Sequence, residues 1–266
     1  MGSLQDLGRV QLLDLAHALG SGRLRPPYST TAVGRVASGT AREIAAGELR
    51  GLAARGLGPE QIAVALELLA QERLATQALR DSVELVWTDP PEQRGRGSRR
   101  TSAVVRSLFE SAEHSVIVAS FVLDGGRKGR ALLGPLRRRM QERPELQVRL
   151  LLNVTRTWVN KRVDTRADAV LLQEFAARFR ELWPQEPRPA VFYDPRALST
   201  EHGPRACLHA KCVVVDGARA LVTSANFTEA AHERNVEAGV LVSDAGFVQA
   251  LRERLDGLVR DGAVRA

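Results

Sequence analysis

Cysteine is scarce in this chain. Cys207 and Cys212 are the only two in 266 residues. That is too few to staple a fold of this size, and it points to a reduced, cytoplasmic protein. No apolar run approaches the ~20 residues needed to cross a bilayer, so no membrane span is expected. Residues Met1 to Asp6 lack a basic segment followed by an apolar core, and no secretory signal is read there. Asp6 also stands where the myristoylation pattern requires Ser or Thr. Aromatic residues make up 5% of the chain, and neither an amphipathic membrane helix nor an exposed aromatic anchor is evident. No HExxH motif or Asp-x-Asp pair occurs beside the candidate site described below, which argues against metal catalysis. Lysine is rare as well: three of 38 basic residues are Lys, and the rest are Arg.

What remains is ordinary globular composition, 44% hydrophobic and 26% charged, with a net charge of +7. The positive excess is local. Residues 85–166 carry seventeen Lys and Arg against eight Asp and Glu, while residues 1–84 balance at nine each. Such a stretch suits a polyanion, with a solvated Arg-rich face as the bland alternative.

The chain divides into two parts, 1–84 and 85–266. Leu4, Leu7, Leu12, Leu15 and Leu19 predict an amphipathic opening helix. Thr40-Ala41-Arg42-Glu43 reads as a capping box at the start of a second helix. Pro59 is placed to open a third, over residues 59–80. Two helices joined by a Gly turn fit either a small packing bundle or a DNA-reading helix-turn-helix. Pro90-Pro91 and the polar run to Arg100 read as a linker or exposed loop. Beyond it, strand runs at 115–122, 147–154, 190–193, 211–215, 220–223 and 236–242 alternate with helical periodicity at 101–112, 129–142, 167–183 and 246–260. This predicts an α/β layered domain. The closely spaced strands of 211–242 predict a mixed sheet.

One constellation carries chemistry: His209-Ala210-Lys211, then Asp216, then Thr223-Ser224-Ala225-Asn226. A symmetric hairpin closed at Asp216-Gly217-Ala218-Arg219 sets Lys211 opposite Ser224 and His209 opposite Asn226. All four polar groups then share one face at one end of the hairpin. Lys supplies charge, Ser and Asn supply neutral hydrogen bonds, and His can act as nucleophile or general acid and base. A donor-rich positive cradle around an imidazole suits a phosphoryl group.

This segment closely resembles the HKD motif of the phospholipase D superfamily, with Thr223 standing where that family usually has Gly. Phe227-Thr228-Glu229-Ala230-Ala231 and Asn235-Val236-Glu237 resemble the motif's usual continuation in single-motif nucleases. The resemblance implies an α/β/α sandwich over 85–266, preceded by the small helical region. It implies His209 as nucleophile of a phosphohistidine, with Lys211 and Asn226 on the non-bridging oxygens and Ser224 supporting them. Glu237 is similar to the carboxylate that fixes the tautomer of the nucleophilic His, and Asp216 falls to a structural role at the turn. No metal or other cofactor is implied. The reaction needs two histidines, and this chain offers one His-x-Lys, since His17, His114, His202 and His232 all lack the Lys. The four are read as surface or capping residues. A homodimer would supply the second imidazole.

Gly20-Ser-Gly-Arg-Leu-Arg-Pro-Pro, Val83-Glu-Leu-Val-Trp87 and Val191-Phe-Tyr-Asp-Pro-Arg196, together with the HKD block, resemble the phospholipase D-like DrmC component of the DISARM anti-phage system. That resemblance implies bacterial defence beside other DISARM components, and a nuclease acting on nucleic acid, DNA first. The alternatives are a phospholipase and a non-catalytic module that holds nucleic acid or a partner. Arg127 and Lys128 within Gly125-Gly126-Arg127-Lys128-Gly129, with Arg156 and Trp158, are expected to border the substrate groove. Trp158 has core packing as its other reading, and Trp87 and Trp183 are expected in the core or an interface. A zinc site built on Cys207, His209 and Cys212 is disfavoured, because His209 and Cys212 fall on opposite strand faces.

Overall fold

A computed structural model describes residues 3–90, 98–156, 158–159, 162–200 and 207–265. The expected linker residues beyond Pro90, including Arg94 and Arg96, lie largely outside the described residues, as does His202. The chain forms two compact units, Met1–Asp81 and Ser82–Ala266. The boundary expected after residue 84 falls inside a strand, β1 (Val83–Thr88), which the hydropathy pattern did not signal.

The first unit is helical: α1 (Arg9–Gly20), α2 (Thr30–Val33), α3 (Thr40–Ala54) and α4 (Pro59–Asp81). Leu12, Leu15, Ala16 and Leu19 form one stripe of α1, and Ile62, Ala63, Leu66 and Ala70 form one of α4. These i, i+3, i+4 rows bury against each other in a single core. Two details differ from expectation. The opening helix is broken, with a 3-10 turn at Leu4–Asp6 capped by Ser3 and α1 starting only after Gly8. The Thr40 capping box is not formed either. Gly39 is the N-cap, at φ 60°, and makes Thr40 the first helical residue with no side-chain cap. Pro59 opens α4, where Gly58 N–H donates to Gln61 Oε1 at 2.8 Å and Ile62 N–H to Gly58 O at 3.0 Å.

The second unit is built on a seven-stranded mixed sheet. Its strands after β1 are β2 (Ser115–Ser120), β3 (Gln147–Leu152), β6 (Ala190–Tyr193), β7 (Cys212–Val215), β8 (Arg219–Thr223) and β9 (Glu237–Val242). The order is β1-β9-β8-β7-β2-β3-β6. β2, β3 and β6 run parallel, and the other pairings are antiparallel. A separate short pair, β4 (Trp158–Val159) and β5 (Arg162–Val163), was not expected.

The helices of this unit are α5 (Thr101–Glu110), α6 (Gly126–Glu142), α7 (Asp168–Leu182), α8 (Glu229–Glu233) and α9 (Ala245–Arg260). Alternation along the central strands distributes them. Val116 and Val118 of β2, with Val213 and Val215 of β7, bury against Leu108 of α5, Leu136 of α6 and Phe179 of α7. Ile117, Ala119, Cys212 and Val214 point the other way, onto Val248 and Leu255 of α9. Both faces of the central strands are therefore covered, as their continuous apolar runs require. The result is the α/β/α sandwich with a mixed central sheet.

Candidate active site

Antiparallel pairing of β7 with β2 sets Cys212 opposite Ala119. The residues just before β7 therefore lie beside those just after β2, at the carboxyl end of the parallel strands, where α/β sheets place ligands. His209 and Lys211 precede β7, Ser224 and Asn226 follow β8, and Glu237 opens β9.

The hairpin register differs by one residue from the expected one. Cys212 faces Val222 and Val213 faces Leu221. Lys211 therefore lies beside Thr223, whose amide donates to the Lys211 carbonyl at 3.1 Å, and not beside Ser224. The turn is the cause. Asp216 and Gly217 both take positive φ, 55° and 64°, and residues 216–218 separate the paired Val215 and Arg219. Ser224 still lines the same cleft as His209 and Lys211 because β8 ends at Thr223 and strand alternation stops there.

That cleft measures about 500 Å³ and is bordered by Val222 and Leu251 as well. The Lys211 ammonium lies 2.9 Å from His209 Nδ1 and 3.2 Å from Nε2, and donates to the His209 carbonyl at 2.8 Å. Burial lowers the Lys211 pKa, while Cys207 and Glu237 pull it the other way. Phe121, just past β2, underlies both groups. Its ring centroid is 4.6 Å from that of His209 and 5.5 Å from Lys211 Nζ. Sequence reasoning missed Phe121; the signal was an aromatic residue directly after a buried strand.

Ser224 Oγ donates to the Glu237 carboxylate and accepts from Ala238 N–H at 3.2 Å. Glu237 also accepts from Asn235 Nδ2 at 3.1 Å. Among the described hydrogen bonds Glu237 engages Ser224 and Asn235, not the His209 ring. Asn226 Oδ1 accepts from Val122 N–H at 3.2 Å, which fixes it against the end of β2. His209, Lys211 and Ser224 thus share the cleft, Glu237 adjoins Ser224, and Asn226 borders the β2 side. Thr223, the departure from the family's Gly, has a local complement. It pairs with Gly239, and a Cβ built on Gly239 would stand 2.9 Å from Thr223 Cβ.

Asp216 stands at the turn, away from the cleft. Its carboxylate accepts from the amides of Glu113, His114 and Ser115 at 2.9, 2.7 and 2.8 Å. Burial raises its pKa, but those three amides outweigh burial and hold the carboxyl below its usual value. Cys212 lies in the apolar layer against α9, where burial pushes its thiol up to about 11. That is a poor setting for a metal thiolate.

Three of the four expected groove residues, Arg156, Arg127 and Lys128, are placed away from the His209 cleft. Arg156 is buried, and its guanidinium is spent on the protein. It donates to the carbonyls of Leu198, Asp164 and Arg166 and pairs with Asp168. With its donors committed, it is a structural clamp and not a groove residue. Trp158 contributes backbone to β4, and its side chain lies outside the described residues. Arg127 and Lys128 open α6 and line a second cleft, not the one that holds His209. His17 and His114 are exposed, as expected, whereas His232 is buried at 1% exposure. It lies on the inward side of α8 against Phe227, so the surface expectation fails for it. Trp183 is buried and Trp87 half-buried.

Residues 105–259 match the family described as cardiolipin synthase, PLD-like domain. Among solved structures, the chain is similar to NucT from Helicobacter pylori, at 12% identity and TM-score 0.45, covering 67% of this chain and 96% of that one. It is similar to Nuc from Salmonella typhimurium, a phospholipase D family member, at 19% identity and TM-score 0.42, covering 69% and 96%. A third similarity is to the phosphatidylserine synthase of Haemophilus influenzae Rd KW20, at 14% identity and TM-score 0.46, covering 69% and 40%. A search among curated proteins finds no match.

Proposed function

The chain belongs to the PLD-like domain family, and we propose that it is a metal-independent phosphodiesterase that cuts nucleic acid through a phosphohistidine at His209. The observation that carries this reading is the cleft in which His209, Lys211 and Ser224 meet. A phosphoryl group entering it finds a nucleophilic imidazole beside a fixed ammonium, and competes for proton donors that Lys211 now directs at His209.

In the first step a His209 ring nitrogen forms a bond to phosphorus while the phosphorus–oxygen bond to the leaving group breaks. The leaving oxygen takes a proton from His209 of the partner subunit. In the second step that imidazole removes a proton from water, the oxygen of water bonds to phosphorus, and the phosphorus–nitrogen bond breaks. Lys211 and Asn226 hold the non-bridging oxygens, and Ser224 and Glu237 steady the cradle. The arrangement needs a homodimer with two cradles facing each other.

Nucleic acid is the substrate this reading favours because of the arginine excess in residues 85–166. In the cell, the reading places the protein in DISARM anti-phage defence, with the other components of that system as partners. One experiment tests the chemistry: phosphodiester cleavage in EDTA on single- and double-stranded DNA, RNA and a phospholipid, with trapping of labelled phosphate on the protein. The expected result is EDTA-resistant cleavage of a nucleic acid, with label on His209 and none on a His209→Ala variant. Unlabelled His209, or full activity in that variant, overturns the reading. Preference for the phospholipid overturns the substrate class. Unchanged phage resistance with His209→Ala removes catalysis from the defence role.

A further inference from the structure

Helices α5, α6 and α8 wall a cleft of about 340 Å³ that is separate from the one holding His209. His232 lies within its lining at 1% exposure, and neither ring nitrogen has a hydrogen-bond partner. A buried imidazole carries donor and acceptor capacity, and leaving it unused in a native interior calls for a cause. Burial holds the His232 pKa down at about 4, so near neutral pH the ring offers one donor and one acceptor.

The rest of the lining is mostly apolar or charged. Val105 of α5 with Leu132 and Pro135 of α6 form an apolar wall. Arg106 and Arg127 form an exposed cationic rim and have no acidic partner among the described residues. The two carboxylates in the lining are already neutralised: Glu229 pairs with Lys128 and Arg234, and Glu233 with Arg100. The first turn of α6 adds the positive end of its dipole, since Gly125 gives it no side-chain cap and it holds no acidic residue.

An apolar wall, a hydrogen-bonding imidazole and two free guanidinium groups match a planar ring that carries a phosphate. The volume lies at the small end of ligand pockets, about 300–1,000 Å³, and suits one monomer unit and not a duplex. We propose that the cleft between α5, α6 and α8 is a nucleotide-binding site, with phosphate at Arg106 and Arg127 and the ring along Val105, Leu132 and Pro135, its edge on His232. The site is wired to the cradle by short segments. α8 begins three residues after Asn226, and Glu229 N–H donates to Asp124 at 2.6 Å in the loop that follows Phe121. The nucleotide is either a free nucleoside monophosphate or the phosphorylated end of a nucleic-acid strand. The strand-end source rests on the phosphodiesterase reading; the site itself does not.

Calorimetric titration of the full-length protein tests this, with a nucleoside monophosphate, inorganic phosphate, and an oligonucleotide with and without a 5′-phosphate. The monophosphate is expected to bind at least tenfold more weakly to an R106Q/R127Q variant and with unchanged affinity to His209→Ala. Both arginines are exposed, so the double variant should fold, with an unchanged melting temperature as the control. His232→Phe should also weaken the monophosphate while sparing inorganic phosphate. Tighter binding of the phosphorylated oligonucleotide than of the monophosphate supports the site and assigns it to strand ends; the reverse order supports it and assigns it to free nucleotides. Equal binding by the double variant, loss in His209→Ala, or no binding by any phosphate ligand overturns the site. A protein that binds the monophosphate through Arg106 and Arg127 yet cleaves no diester would sink the phosphodiesterase reading and leave this site standing.

Discussion

Asp216 and His232 show how one side chain's surroundings decide its work. Asp216 belongs to the HKD motif by position, yet its carboxylate serves three amides at the start of β2. Asp216→Ala should cost about 2 kcal/mol, the order expected for leaving amides without an acceptor, and chemical denaturation at pH 7 measures it. Because the folded carboxyl titrates below its unfolded value, its contribution is complete above pH ~4 and is lost as pH falls through the folded value. His232 gives a second, higher window. Its pKa is about 4 when folded and ~6.5 when unfolded, so the unfolded chain takes up its proton first as pH falls. Stability drawn from a neutral His232 is therefore full above pH ~6.5 and declines toward pH 4. The loss should be about 2 kcal/mol by pH 5, given 1.36 kcal/mol per pKa unit. In His232→Leu the decline between pH 7 and 5 should shrink by that amount. An unchanged slope would show that His232 does not titrate in this range.

At the level of elements, the end of β8 and the start of β9 form the back of the cradle. Thr223 occupies the space that Gly239 leaves open, and its hydroxyl donates to Ala238 O at 3.3 Å and accepts from Ala225 N–H at 3.1 Å. A Cβ at Gly239 would also stand 2.9 Å from Val222 O, which is backbone and cannot swing aside. Gly239→Ala should therefore lose about 1–3 kcal/mol through overpacking. It should also lower kcat by shifting Ser224, whose amide donates to Ala238 O at 2.9 Å. Thr223→Gly in the Gly239→Ala background should restore part of the activity, since it removes one of the two clashes. Steady-state kinetics with thermal melts would check both. The hairpin also shows where periodicity reaches its limit. Alternation identified both strands, but the register was set by a three-residue turn at 216–218 and not by the hydrophobic pattern.

For the whole molecule, the proposed chemistry needs two copies of a chain that carries one His-x-Lys. Mixing wild-type protein with His209→Ala should give activity that falls as the square of the wild-type fraction, because only wild-type pairs hold both imidazoles. A linear fall would mean that each subunit works alone, and the two-histidine mechanism would fail. Equilibrium sedimentation should show a dimer at working concentrations.

Most of the architecture is legible in the sequence. Apolar runs and helical stripes depend only on local spacing, so the strands expected at 115–122, 147–154 and 190–193, the four long helices of the second unit and the motif at 209–226 could be read directly, with some element ends displaced: β2 stops at Ser120, β3 at Leu152, and α6 starts at Gly126. The sequence by itself determined which residues could do chemistry. It could not determine which charges were spent internally, because an ion pair joins positions far apart in the chain. Arg156 and Arg127 look equivalent as text, yet only the folded chain surrounds the first with carbonyls and leaves the second facing a cleft. In the sequence His232 reads as a surface or capping residue. Tertiary packing of α8 against Phe227 removed it from water, because a five-residue helix must turn one side inward wherever the sheet and α5 leave room.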